Sequence, residues 1–467
     1  MRVLKLALLF TIVNIPPHAC FAIGLPPITT IRAILESIDN TRNRMIDNFP
    51  FPFVKEFSQV APVYCITPRT GRTIHRFFDT SPISPSGRYM ALFRMPQEEA
   101  TPCPGEIGEV IVVDLKTGDE HIVATTAGWE SQMGANINWG ADDETLIFND
   151  VDTRDWTPHG VKLFWKSGKR ELFERGVYHV SPDGRYAACA DLTAMRRTQT
   201  GYGVMIPDNL VPEYHGISDK NGIWLTDLAT MKTTLLISGA EVVERAVPKE
   251  SWDDYATREN YFFHSKWSPS GTYLMFSLRR YSAENAKQFS NMSADMRYDV
   301  FTMRTDKSEL YDTIPQDAWR NLGHHTNWCP DSEHLSLNLA IDGGSTTKFC
   351  FVNRDGSNLH KLCDDPIGSG HPTVHKNGKF LVTDAYQFET LCRPDGTTPL
   401  RMVNLSTLQT TILAWLPVAI PQERLLKDVG LRVDPHPAWD RTWRFLTFNA
   451  YVNGTRRVYL ADMADFV

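Results

Sequence analysis

Beyond its N-terminal end this chain has no apolar run approaching the roughly 20 residues that a membrane-spanning helix needs, so no later transmembrane span is expected. It has no block of basic residues and no interleaving of basic and aromatic side chains, and its formal net charge is −7. A nucleic-acid partner is therefore not expected. No Gly-x-Ser-x-Gly elbow is present, which excludes an intact serine hydrolase of the prolyl-oligopeptidase type, and no Gly-Lys-Ser/Thr loop is available to cradle phosphate. Cysteine is sparse: after Cys20 only Cys65, Cys103, Cys189, Cys329, Cys350, Cys363 and Cys392 remain. An odd number leaves at least one unpaired under oxidising conditions. Pairing such as Cys350 with Cys363 is possible, but connectivity cannot be deduced.

What the chain does have is a short phrase written seven times. It reads Ser81-Pro-Ile-Ser-Pro-Ser-Gly87, Asn136-Ile-Asn-Trp-Gly-Ala-Asp142 and Val177-Tyr-His-Val-Ser-Pro-Asp-Gly184 in the first three copies. It continues as His264-Ser-Lys-Trp-Ser-Pro-Ser-Gly271, His325-Thr-Asn-Trp-Cys-Pro-Asp331, His371-Pro-Thr-Val-His-Lys-Asn-Gly378 and His436-Pro-Ala-Trp-Asp-Arg-Thr442. Pro-Asp-Gly and Pro-Ser-Gly supply a tight turn, with β-branched and aromatic residues alternating on either side, so each copy predicts strand–turn–strand. The copies lie roughly 40 to roughly 90 residues apart, room for one four-stranded antiparallel unit and an occasional insertion. The pattern predicts an all-β fold: a seven-bladed β-propeller with four-stranded blades. The last copy leaves only two further strands before Val467, so a strand at 61–66 is expected to complete that blade and remove a free edge.

Residues 1–22 combine Arg2 and Lys5, an apolar run from Leu6 to Ile15 and a small-residue end at Cys20-Phe-Ala22, the pattern of a secretory signal peptide. A lipoprotein reading of Cys20 lacks the usual aliphatic residue three places earlier. The expected organisation is therefore a leader at 1–22, an extension at 23–60 with a short amphipathic helix outside the propeller, and one propeller from 61 to 467. The expected product is a secreted or periplasmic monomer.

Three positions before the shared Trp or aliphatic residue, four consecutive copies carry His264, His325, His371 and His436. Inner propeller strands line the central channel, so residues in one register converge on the axis. Converging imidazoles suit a divalent cation such as zinc or manganese; an acid/base cluster or a polar plug are the rival readings. A second group is the run Arg196-Arg-Thr-Gln-Thr-Gly-Tyr-Gly203, in which paired glycines can present the Tyr202 phenol and the arginines suit carboxylates or sulfates. His159 follows the second copy on a turn-like segment. Arg258 and Tyr261 stand just before His264.

The Arg196–Gly203 run, His264–Gly271, His324-His-Thr-Asn-Trp-Cys-Pro-Asp331 and Gly370-His-Pro-Thr-Val374 together resemble the secreted seven-bladed ulvan lyases, and more distantly the oligogalacturonate lyases. The resemblance runs from about Thr70 to the C-terminus. It implies β-elimination on an anionic, uronate-containing, sulfated (ulvan-like) polysaccharide. Tyr202 matches the family's catalytic tyrosine, and His159 lies where the family places a histidine. The expected roles are His159 and Tyr202 as base and acid, Arg258 neutralising the uronate carboxylate, and Asn136, Asn138, Arg197, Tyr261 and His264 binding substrate. The relatives tend to carry a histidine where this chain has Asn136 and Asn138, and asparagine cannot transfer a proton near neutral pH. A non-catalytic glycan- or protein-binding propeller is the reading that departure leaves open. His264, His325, His371 and His436 match axial histidines of the family, which implies zinc in a structural role, with manganese or calcium as alternatives. In the oligogalacturonate lyases a manganese ion instead handles the substrate carboxylate, and a metal-dependent oligogalacturonate lyase is the further alternative reading of this chain.

Overall fold

At the fourth copy Gly271 takes the left-handed conformation (φ 73°) that a tight turn demands, and it joins strands Glu259–Trp267 and Tyr273–Tyr281. At the fifth copy, where glycine is missing, Ser332 adopts the same conformation (φ 63°) between Gly323–Trp328 and His334–Leu339. Repeated around the chain, these hairpins grow into seven four-stranded antiparallel sheets. The structure is a computed structural model describing residues 49–467, except 198, 250–251, 283–295 and 320–321. The expected leader and amphipathic helix lie outside the described residues.

The predicted closure is present. Strand Val63–Cys65 pairs with Thr455–Asp462, which pairs with Phe445–Val452 and so with the inner strand Ala438–Trp439. N- and C-terminal parts of the propeller thus share blade 7, and strand Thr455–Asp462 is paired along both sides. The other inner strands are Thr73–Ile74, Asn138–Trp139, His179–Val180, Glu259–Trp267, Gly323–Trp328 and Thr373–Val374. The first copy departs from expectation: Ile83 makes only an isolated bridge to Met90, and the inner strand of blade 1 lies upstream at Thr73–Ile74. The residues between, His75–Ser81, run through the centre of the ring.

The repeated tryptophan earns its place between blades. Trp139 donates its indole N–H to the Pro82 carbonyl at 2.8 Å, and Trp328 donates to the Lys266 carbonyl at 3.2 Å, each reaching the blade before its own. Tyr186 of blade 3 stacks on Trp267 of blade 4, with ring centroids 6.3 Å apart. Each blade buries its apolar face on its neighbours, and the core is a ring of inter-blade clusters. All seven described cysteines are free: Cys350 and Cys363 approach the carbonyls of Leu339 and Pro366 and do not bond one another. Among the described residues no helix is long and apolar enough to cross a membrane.

Candidate metal centre on the propeller axis

The repeated position carries a backbone irregularity that aims its side chain. Asn136, His264, His325 and His436 have φ of 53°, 59° or 51°: 53° for Asn136 and His264, 59° for His325 and 51° for His436, all in the left-handed region that non-glycine residues rarely enter. In blades 4 and 5 the pairing register shifts there, between Phe263 and Lys266 and between His324 and Asn327. A bulge of this kind bends the strand and redirects a side chain, and its cost is typical of functional sites. In blade 6 the irregularity falls one residue earlier, at Gly370 (φ 67°). A Cβ there would stand 2.2 Å from the Asp384 carbonyl oxygen and 2.3 Å from its carboxylate, so only glycine fits.

Asp384, just after strand Phe380–Thr383, organises two imidazoles. It accepts from the backbone N–H of His371 at 2.7 Å and of His436 at 3.0 Å, and its carboxylate holds His371 Nδ1 at 2.9 Å. Burial alone would raise the Asp384 carboxyl; the His371 contacts outweigh it and hold it below its ordinary value. With Nδ1 committed, His371 Nε2 is the nitrogen left over, and it has no hydrogen-bond partner among the described residues. Both ring nitrogens of His436 are equally unpartnered, although His371 and His436 are each 1 % exposed. Asp434 completes the group, and the ligating atoms of His371, Asp434 and His436 all lie within 4.8 Å of one another.

Buried polar atoms left without partners are costly, and convergent imidazole and carboxylate donors are a transition-metal ligand set. The carboxylate behind His371 is the outer partner that fixes the tautomer of a ligating histidine. The residues therefore fit a divalent cation. His325 lies against His371 with ring centroids 3.8 Å apart, but its Nδ1 is 2.6 Å from the Gly370 carbonyl and its Nε2 is 3.0 Å from the Tyr386 hydroxyl. Burial holds His325 and His436 neutral, well below the usual histidine range.

His264 is set apart. Phe77, from the segment that crosses the ring, stacks on it at 5.7 Å and meets His436, His371 and His325 edgewise at 4.6, 5.6 and 6.4 Å. His264 Nδ1 hydrogen-bonds the Tyr178 hydroxyl. The expected set of four converging imidazoles thus meets around Phe77, with His264 stacked on the ring and His325, His371 and His436 edgewise to it. Beneath the rings, Arg76 pairs with Asp79 at 2.6 Å, and Asp79 faces Lys266 at 3.2 Å. Burial would raise Asp79, but Arg76 and Lys266 together hold it well below the ordinary carboxylate range, while burial pulls Lys266 down to about 8. Beyond this layer the axis opens into a separate cavity of about 340 Å³ lined by Trp267, Trp328, Trp439 and Lys266.

Above the centre, Tyr202 is 2 % exposed and packs edgewise on Phe77 and Phe263. Arg432 lies over its ring at 6.0 Å and is held charged by Asp434, whose carboxylate accepts from Arg432 Nε at 2.9 Å. Arg279 covers Phe263 at 4.3 Å and donates to Gln199 of the tyrosine loop at 2.9 Å. Burial pushes the Tyr202 phenol above its ordinary value, so it is protonated at neutral pH. Its loop is tied down by Glu130, which accepts from the Gly203 N–H and has no partner for its other oxygen.

Burial raises Glu130 to about 8, against opposing contributions from Gly203 and Arg76. The folded protein therefore binds a proton there that the unfolded chain, with an ordinary glutamate, releases from about pH 4.5 upward. Stability from this group is complete below pH 4.5 and is lost as pH rises through about 8. Denaturant midpoints measured across pH 4.5 to 9 should show Glu130→Gln gaining on the wild type as pH rises; parallel curves would exclude a neutral Glu130.

The remaining candidates lie elsewhere or are already engaged. His159 sits on strand Thr157–Phe164 opposite Asp150 and Glu174, and among the described residues no hydrogen bond or ring contact joins it to Tyr202. Arg258 forms an ion pair with Asp254, one helical turn earlier, at 2.8 Å. Arg197 is buried and donates to the Pro212 and Val211 carbonyls. Tyr261 donates to Glu259. Asn136 accepts from Arg76 at 3.2 Å, and Asn138 spans the Asn136 carbonyl and the Val180 N–H. The residues around the centre that sequence reasoning missed are Asp384, Asp434, Arg279, Arg432, Tyr386 and Phe77. Only the Asp434-Pro-His436 spacing offered a signal.

The fold and this centre define a seven-bladed propeller with a buried histidine–carboxylate group on its axis that could hold a metal ion. No protein-family profile and no curated protein matches the chain. Among solved structures, an oligogalacturonate lyase in complex with manganese superposes with a TM-score of 0.58 at 13% identity, over 89% of this chain and 96% of that one. An oligogalacturonate lyase from Vibrio parahaemolyticus does so with a TM-score of 0.58 at 10% identity, over 89% and 97%. What these share with the chain is the propeller fold. The likeness is to oligogalacturonate lyase propellers and not specifically to ulvan lyases.

Proposed function

We propose that this protein is a metal-dependent lyase that cleaves uronate-containing saccharides by β-elimination, with galacturonate-type oligosaccharides ahead of a sulfated, ulvan-like polymer. The observation that carries the reading is the buried His371–Asp434–His436 set, with unpartnered imidazole nitrogens, lying beneath a protonated tyrosine and two arginines. Elimination removes the C5 proton of a uronate and breaks the C4–O4 bond, so it needs charge to stabilise the carboxylate, a base for C5 and an acid for O4. His371, Asp434 and His436 would hold the cation, which when bound supplies the positive charge that acidifies C5.

Arg279 and Arg432 flank Tyr202 and are suited to grip the uronate carboxylate or a neighbouring one by forked hydrogen bonds, the role first expected of Arg258. Tyr202 keeps its proton at working pH and is assigned the acid that protonates departing O4. His264 is held neutral by burial, with Lys266 and Arg279 adding to the effect, and Tyr178 occupies its Nδ1. Its Nε2 is assigned the base. The leader-like N-terminus supports action outside the cytoplasm. The test is a panel of galacturonate oligomers, pectate and ulvan, followed by ultraviolet absorbance of the unsaturated uronate product. Product from none of them would overturn the reading.

A further inference from the structure

A second cluster of metal-ligating side chains lies at the far end of the strand that carries His264. Glu259 opens strand Glu259–Trp267, five residues before His264 and about 17 Å away along the extended backbone. Its partners, Glu213 and His215, belong to the long excursion between strands Tyr186–Cys189 and Gly222–Asp227, the same excursion that carries Tyr202. One ligating atom from each of Glu213, His215 and Glu259 falls within 4.8 Å of the others. His215 Nδ1 is 3.4 Å from Glu259 Oε1, and His215 Nε2 is 3.2 Å from Glu213 Oε2.

Glu259 is what makes this more than a surface cluster. It is 1 % exposed, Tyr261 donates to one of its oxygens, and the other, Oε1, is buried without a hydrogen bond among the described residues and faces His215. A buried carboxylate that lacks full pairing is expensive, and coordination to a cation is one of the few ways to satisfy it. His215 and Glu213 are exposed on the other side, which leaves room for water ligands. Arg197 pairs with the other oxygen of Glu213, Oε1, at 3.3 Å.

We propose that Glu213, His215 and Glu259 form a second divalent-cation site, for a transition metal of the manganese or zinc type, given the mixed carboxylate and imidazole donors. Bound there, the ion would clamp the tyrosine-bearing excursion to blade 4. The site is independent of the axial centre and of the reaction assigned to it.

The test is a titration of metal-free full-length protein with Mn2+, counting bound ion by loss of the free-ion electron paramagnetic resonance signal. Wild type should bind two equivalents, His215→Ala one, and His371→Ala one. In the His371→Ala background Mn2+ should still raise the thermal midpoint, and adding Glu213→Gln, a change at an exposed position, should remove that rise. If wild type binds no ion, or binds one that His371→Ala removes and His215→Ala keeps, or if His215→Ala or Glu213→Gln leaves the second equivalent in place, the rim site does not exist; a single equivalent that His215→Ala removes and His371→Ala keeps would instead count against the axial centre. Loss of lyase activity across the substrate panel with two Mn2+ still bound would instead count against the proposed function alone.

Discussion

Chelation followed by desalting should abolish release of unsaturated uronate, added Mn2+ should restore it, and His371→Ala should lower it by about 10³-fold or more without rescue. That scale is expected when a preorganised charge facing a developing anion is removed. The reason lies in how little else in the funnel could replace it. Among the described residues His371 Nε2 and both nitrogens of His436 are buried without hydrogen-bond partners, so a bound ion would recover the free energy of placing them there. Asp384→Asn separates ligand from support: it leaves the three donors in place but weakens the partner of His371 Nδ1. Metal affinity should fall roughly 10–100-fold, with activity recovering at high Mn2+. Metal content measured beside rates distinguishes these outcomes. A chelated protein that remains fully active would remove the cation from the mechanism.

Tyr202→Phe should lower turnover by about 10²–10⁴-fold, the range for loss of a positioned acid, while metal content and thermal midpoint stay at wild-type values. The substitution deletes one oxygen. The edgewise packing of the ring on Phe77 and Phe263 and the cover of Arg432 are kept, because they involve the aromatic face and rim. Substrate binding, measured by calorimetry at equilibrium, should change far less than turnover. Wild-type turnover in the variant would move the acid role elsewhere. Saccharide binding with no turnover even in the wild type would identify a glycan-binding propeller.

Much of the architecture was legible because a propeller repeats its instructions. The turn motif, the inter-blade tryptophan and the shortage of strands after His436 led to the blade number and to closure by the strand at Val63–Cys65. The site was legible only where it shares the repeat. His371 and His436 are in register and meet; His325 is in register too, but its nitrogens go to Gly370 and Tyr386. Asp384 and Arg432 lie in connections, where no period marks them, and Arg279 lies within strand Tyr273–Tyr281 but beyond the repeated phrase. Arg258 stands close to His264 in sequence, and in the fold its guanidinium pairs with Asp254. The first copy misled. Its turn motif is intact, yet the chain leaves the sheet after Ile74 and returns at Ile83, spending the intervening residues on the axis.

That crossing segment makes the ring a cup and not a tube. Phe77 and Phe78 are essentially inaccessible, and the Arg76–Asp79–Lys266 layer seals the floor beneath them. A saccharide cannot be drawn through the molecule from one mouth to the other, so substrate must enter and product must leave by the same door. For a lyase working at this centre, a newly cut chain end would have to back out by the way it came in.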